Sequence, residues 1–190
     1  MKNISKIIQY KYPNVIYSVC DTYDSLQWFS TDIQKPTEDE LKSVELELIL
    51  QDVIRNKSVE IEAFYDAKRV FTIRNGVTMT LKADANYADQ VQNWISKLEA
   101  DVRDGVFNKI DSAIYAYLIP ETGKILNVPY AVVLKIKDFI AQRRSYCRAN
   151  CDFHIGQVKL LNTADQVQTY VYKFDYLGKE VVDCADIEIK

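Results

Sequence analysis

Three side chains in the last third of the chain are of types that do chemistry. Cys147, Cys151 and His154 stand four and three residues apart, a spacing that puts all three on one face of a helix. Two thiolates and an imidazole suit zinc. Zinc takes four ligands, so Cys20 or Cys184 would have to complete the set. The same three positions also continue an apolar series, Val133, Ile136, Ile140, Val158 and Leu161, broken only at Arg143. Reduced cysteine is among the most buried residue types, and the paired short spacings of known zinc motifs are absent. The core reading is therefore preferred to the metal one. A Cys151–His154 nucleophile pair is weaker still, because one helical turn rarely supplies a third, orienting group.

Other constellations carry less. The chain has no G-x-G-x-x-G and no G-x-x-x-x-G-K, so no phosphate cradle is expected. Asp21 with Asp24, and Asp101 with Asp104, read as solvated acids. A glycosidase pair among the 27 acids has no sequence mark of its own. Arg143, Arg144 and Arg148 around Tyr146 form a small basic, aromatic-flanked patch. That patch can touch nucleic acid or an acidic partner, but a solvated helix face with Arg143 reaching out of the stripe explains it more simply. A third option is an arginine layer that sets register in a homotrimeric coiled coil.

Composition agrees. The 190 residues carry a net charge of −3, against nucleic-acid binding as a main function. Glycine is scarce, at 5, and tyrosine abundant, at 13. Tyrosine is favoured both at interfaces and in strands. No apolar run has the length of a transmembrane helix or a signal peptide. A cytosolic chain with reduced cysteines is expected, with no enzyme activity, no cofactor and no membrane partner.

The elements that would position these residues follow from pattern. Ile7 to Tyr12 reads as a short strand, Val15 to Cys20 as a second strand or helix-poor stretch, and Leu26 to Phe29 as a third short apolar piece, together a β-rich N-terminal unit, residues 1–34. Pro36, Thr37 and Glu40 form a capping box that opens a helix from Glu38 to about Lys68, with room for a break near Asn56. Its stripe is Leu41, Val44, Leu48, Val53, Val59 and Phe64. Asn75-Gly76 between alternating runs predicts a hairpin with a two-residue turn. A helix over Ala85 to Asp104 buries Val91, Trp94, Ile95 and Leu98. A second hairpin joins Ala113–Ile119 to Lys124–Val128 through Pro120 to Gly123. A long helix starts near Pro129. Residues 35–165 thus form a helix-hairpin-helix-hairpin-helix domain. Residues 166–190 form an extension of strand or helix, with Tyr170–Phe174 and Glu180–Cys184 as candidate strands. The expected class is α+β, with long helices alternating with two hairpins in an elongated molecule that meets partners or copies of itself through its helical stripes.

The order of features resembles bacteriophage tail-associated proteins. The carriers are Ile7-x-x-Tyr10-x-Tyr12-Pro13, Asp21, Leu26-x-Trp28 and Lys35-Pro36-Thr37-x-x-Glu40-Leu41. The hairpin at Asn75-Gly76, the hairpin at Glu121-Thr122-Gly123 and a long helix with cysteine and histidine near its end look like an uncharacterised domain of phage tail and tail-fibre proteins. The likeness covers about residues 5 to 165. Tyr115 stands where a tryptophan is expected, and no Gly-rich turn precedes Trp28. The resemblance implies a virion protein made in the host cytoplasm, homo-oligomeric and bound to other tail proteins. The alternatives are a cytosolic tail-fibre assembly chaperone and a zinc-binding module at Cys147, Cys151 and His154. It implies no catalytic residue.

Overall fold

The computed structural model describes residues 3–20, 22–75, 77–120, 122–183 and 187–188. In chain order the elements are α1 (Ile4–Lys11), β1 (Tyr17–Ser18), β2 (Gln27–Trp28), α2 (Glu38–Ala67), β3 (Val70–Arg74), β4 (Thr78–Lys82), α3 (Ala85–Arg103), β5 (Ile114–Ile119), β6 (Lys124–Pro129), α4 (Tyr130–Lys159), α5 (Ala164–Thr169) and β7 (Ile187–Glu188). The class is α+β. Two compact units are present. One is Met1–Val59 with Val158–Tyr170; the other is Glu60–Gln157 with Val171–Lys190.

The first unit corrects the expected N-terminal strands. Residues 7 to 11 are helical, not extended. Asn3, in the left-handed region at φ 63°, caps α1 by accepting from the Lys6 amide. Ile4, Ile7 and Ile8 then bury together at helical spacing. Among the described residues the strands here are two residues each, with Tyr17 opposite Trp28. Trp28 packs edge-on against Tyr12 at 5.8 Å and stacks on Tyr17 at 6.4 Å. Leu26, Leu41 and Val44 complete this core.

The capping box forms as written: the Thr37 amide donates to Glu40 Oε2 at 2.7 Å, and the Glu40 amide donates to Thr37 Oγ1 at 3.2 Å. The Thr37 amide, and then the Thr37 hydroxyl, which donates to the same Oε2 at 3.0 Å, hold the Glu40 carboxyl below its ordinary pKa. α2 runs without a break at Asn56, since asparagine costs only a few tenths of a kcal/mol inside a packed helix. Its buried residues after Val44 are Ile61 and Tyr65, whereas Val59, expected in the stripe, is exposed.

The second unit holds the larger core. Phe71, Ile73, Met79 and Leu81 from the first hairpin meet Val91, Trp94, Ile95 and Leu98 of α3. Leu126 and Val128 of the second hairpin and Val133, Ile136 and Ile140 of α4 close it. Asp84 caps α3 by accepting from the Tyr87 amide. The first hairpin pairs Arg74 with Thr78, one residue beyond the Arg74–Val77 pairing that a two-residue turn imposes; Gly76 itself lies outside the described residues. The second hairpin pairs Ile119 with Lys124, and Gly123 takes φ 65°, a left-handed conformation that favours glycine. Glu121 lies outside the described residues. After Tyr170 the chain makes one isolated bridge, Phe174 with Glu180, and β7 joins β3 in parallel. The candidate strand at Tyr170–Phe174 is thus reduced to that bridge, as is the part of Glu180–Cys184 that is described.

Candidate functional site

Cys147, Cys151, His154 and the arginines around Tyr146 fall in the second unit, where α4 faces the end of α2 and the segment 172–183. The 3.6-residue period turns Cys147, Cys151 and His154 inward, at 0%, 7% and 4% exposure. His154 stacks on Tyr65, with ring centroids 5.8 Å apart and planes 19° apart. Its Nε2 lies 2.5 Å from the Phe174 carbonyl oxygen. A carbonyl only accepts, so Nε2 carries the proton. Tyr65 Oη lies 3.0 Å from the same Phe174 oxygen and 3.0 Å from that of Tyr172, so one hydroxyl proton serves two carbonyls.

Around this node the polar groups continue to tie down backbone. Tyr172 Oη donates to Glu60 Oε1 at 2.5 Å. Burial, and then the Glu60 carboxylate, push the Tyr172 pKa up to about 12. The same burial raises Tyr65. Asn150, fully buried, donates to the Tyr146 carbonyl and accepts from the Tyr176 amide at 2.8 Å each. Asp175 Oδ1 accepts from the amides of Leu177 and Lys179. The Lys179 amide above all holds the Asp175 carboxyl below its ordinary pKa.

Arg143, the gap in the stripe, has a specific role. Its Nε donates to the Lys68 carbonyl at 2.8 Å and its Nη2 to the Val182 carbonyl at 2.7 Å. α2 ends at Ala67, so the guanidinium ties the first residue past the helix end to the segment around Val182, with its positive charge at the negative end of the helix. Lys68 in turn pairs with Asp183 at 2.8 Å and lowers its carboxyl pKa. Arg148 pairs with Asp152 within α4. The basic patch read from sequence is thus divided between an internal clamp at Arg143 and an ion pair on α4.

The zinc reading does not gain a ligand set. Among the described residues no group of three or more histidine, cysteine or acidic side chains is placed to hold a metal ion. Burial, and then the carboxylates of Asp152 and Glu62, raise the Cys151 pKa. That favours the thiol over the thiolate a metal or a nucleophile needs. Cys20 is exposed and belongs to the first unit; Cys184, the other fourth-ligand candidate, lies outside the described residues, as does Asp21 of the Asp21–Asp24 pair.

Two clefts open elsewhere. One, of about 370 Å³, is lined by Thr78, Met79, Thr80, Tyr87, Tyr117, Ile119 and Thr122. It presents hydroxyls and apolar atoms, and its described lining holds no carboxylate, imidazole, thiol or cation. The other, of about 480 Å³, is an open depression along Val15 to Val19 with Ser5 and Gln9. No helix among the described residues is long and apolar enough to cross a membrane. Reading by residue type missed the partners of His154, because Phe174 and Tyr172 act through backbone carbonyls; the one available signal was the position of Tyr65, four residues from Ile61 on the same helix face.

No family model matches the chain, and neither a curated protein nor a solved structure matches it.

Proposed function

We propose that the protein is a structural or assembly component of a bacteriophage tail that acts by protein–protein contact, not by catalysis. The observation that carries the contact reading is the outer face of the second hairpin. Ile114, Leu118 and Ile125 stand there at 45%, 59% and 58% exposure, a set of apolar side chains on one small sheet of the kind that marks a docking surface. The non-catalytic reading is supported by the way the reactive types are spent: the single histidine and two of the three described cysteines are buried, and the histidine holds a backbone carbonyl. The tail assignment is supported by the resemblance of the motifs from Ile7 to Leu41 and of the two hairpins with their following helices.

The test is mass spectrometry of purified particles and of infected-cell extracts for the phage that encodes the chain. Presence in particles at a fixed ratio to the known tail proteins is the expected result. Presence only in complexes before maturation points to an assembly chaperone. Absence from both particles and tail-protein complexes overturns the proposal.

A further inference from the structure

We infer that β5 is an open sheet edge built to pair with β5 of a second copy, antiparallel, about a two-fold axis at Ala116. The inference deepens the reading of a protein that assembles by contact and rests on it.

The direction of each backbone group in the hairpin follows from its register. β5 pairs Ile114 with Pro129 and Ile119 with Lys124. The Tyr130 amide donates to the Ala113 carbonyl at 3.0 Å, so Ala113–Tyr130 is a hydrogen-bonded pair. Such pairs alternate along an antiparallel ladder. Tyr115, Tyr117 and Ile119 therefore point their N–H and C=O toward β6, and Ile114, Ala116 and Leu118 point theirs outward. Two observations agree. Pro129, which has no N–H, sits at an outward position of β6. The Asn127 carbonyl, also outward, accepts from Asn75 Nδ2 at 3.0 Å.

The two edges of the hairpin are thus treated differently. β6 is guarded by Pro129 and by Asn75. β5 has neither a proline nor a charge from Ala113 to Ile119, the devices that natural edges use against pairing. Its outward backbone groups at Ile114, Ala116 and Leu118 have no hydrogen-bond partner among the described residues.

Its sequence fits itself. Ile114-Tyr115-Ala116-Tyr117-Leu118 reads the same by side-chain class in both directions. A two-fold at Ala116 opposes Ala116 to Ala116, Tyr115 to Tyr117 and Ile114 to Leu118. All the outward groups then meet outward groups, in three hydrogen-bonded pairs of two bonds each, about six in all. The exposed apolar side chains become cross-strand neighbours. The tyrosines stay on the inner face, where Trp94 already stacks on Tyr115 at 4.9 Å. An isologous pair of this kind closes on itself and leaves no further copy of the edge.

Light scattering on the full chain at tens of micromolar tests this with three proteins. The wild type is expected at twice 22.0 kDa. Ala116→Pro removes an outward N–H that the β5–β6 ladder does not use, and Leu118→Lys puts a charge on the outer face. Both are expected at the single-chain mass with an unchanged circular dichroism spectrum; if the proline variant does not fold, the lysine variant decides. Ala116→Cys in a Cys20→Ser background is expected to form a disulfide-linked dimer under mild oxidation, since a hydrogen-bonded pair sets Cα atoms about 5.5 Å apart, within disulfide reach. Asn127→Cys in the same background is expected not to. A monomeric wild type overturns the inference. So does a dimer that persists in both edge variants, but that result leaves assembly through another surface standing, so the two failures are distinct.

Discussion

Tyr65 and His154 are stacked, with ring planes 19° apart, and both reach the same oxygen, the carbonyl of Phe174. One residue comes from α2, the other from α4, and the oxygen from the segment that follows Tyr170. Both lone pairs of that oxygen are therefore engaged by groups brought together from three distant stretches of chain. The node accounts for the burial of the single histidine.

Removing either donor weakens this attachment. Tyr65→Phe keeps the ring and withdraws the hydroxyl from two carbonyls; a loss of about 1–3 kcal/mol is expected in urea denaturation. His154→Phe keeps a ring for the stack and loses the Nε2 donor, with an expected loss of similar order. The two changes share an acceptor, so the double variant is expected to depart from additivity by at least about 0.5 kcal/mol. Strict additivity would show that the shared carbonyl does not couple them.

Stability is also expected to fall at high pH in a defined window. Tyr172 ionises in the unfolded chain near its ordinary value of 10.0 and in the folded chain at about 12. The folded state thus holds the proton more tightly, and its advantage is complete below pH 10 and lost as pH rises through 12. The size is on the order of 2 kcal/mol. Denaturation midpoints measured from pH 8 to 12 report it, and Tyr172→Phe is expected to flatten the upper part of the curve. The raised Tyr65 pKa acts in the same direction.

The parts that were legible in the sequence are those written in periodicity and local signals. The capping box at Thr37 and Glu40, the stripe Val91, Trp94, Ile95 and Leu98, and both hairpins follow from side-chain spacing that burial has to respect. α1 was hidden because the adjacent Ile7 and Ile8, followed by Tyr10 and Tyr12, have strand preference; the Asn3 cap and the spacing back to Ile4 outweigh it. The site was half legible. Cys147, Cys151 and His154 lie on one buried face, as their spacing requires. Their surroundings were not legible, because the groups that meet His154 and Arg143 are main-chain carbonyls of Phe174, Lys68 and Val182, and a carbonyl is the same in every residue. The tyrosines show the same limit: Tyr12 and Tyr17 pack on Trp28, Tyr115 and Tyr117 on Trp94, so much of a composition that suggests interfaces is spent inside the units.

Arg143 provides a test of geometry against charge. Its guanidinium spans the Lys68 and Val182 carbonyls with two different nitrogens. Arg143→Met keeps the apolar stem and removes both donors, for an expected loss of about 2 kcal/mol. Arg143→Lys restores the charge but offers a single ammonium without the planar fork. It is expected to recover less than half of the loss. Amide exchange at the last turn of α2 is expected to quicken in both. Full recovery by lysine would mean that charge at the helix end, not the two-point clamp, is what matters.

Zinc provides the sharpest test of how the Cys147–Cys151–His154 face is used. A ligand set on these residues would need Cys151 as thiolate, in a site where burial and two neighbouring carboxylates favour the thiol. With Nε2 carrying the proton donated to Phe174, His154 would have to ligate through Nδ1. A ligand that binds only the folded state raises stability by RT ln(1 + [L]/Kd), about 4 kcal/mol at a thousandfold excess over Kd. Protein purified without chelator is therefore expected to hold well under one equivalent of zinc, and its melting temperature is expected to be the same with micromolar zinc as with chelator. Cys147→Ala is expected to cost about 1–2 kcal/mol with or without zinc, because what it removes is a buried sulfur from a packed stripe. Retention of one equivalent through dialysis, lost in both Cys147→Ala and Cys151→Ser, would instead assign the face to metal.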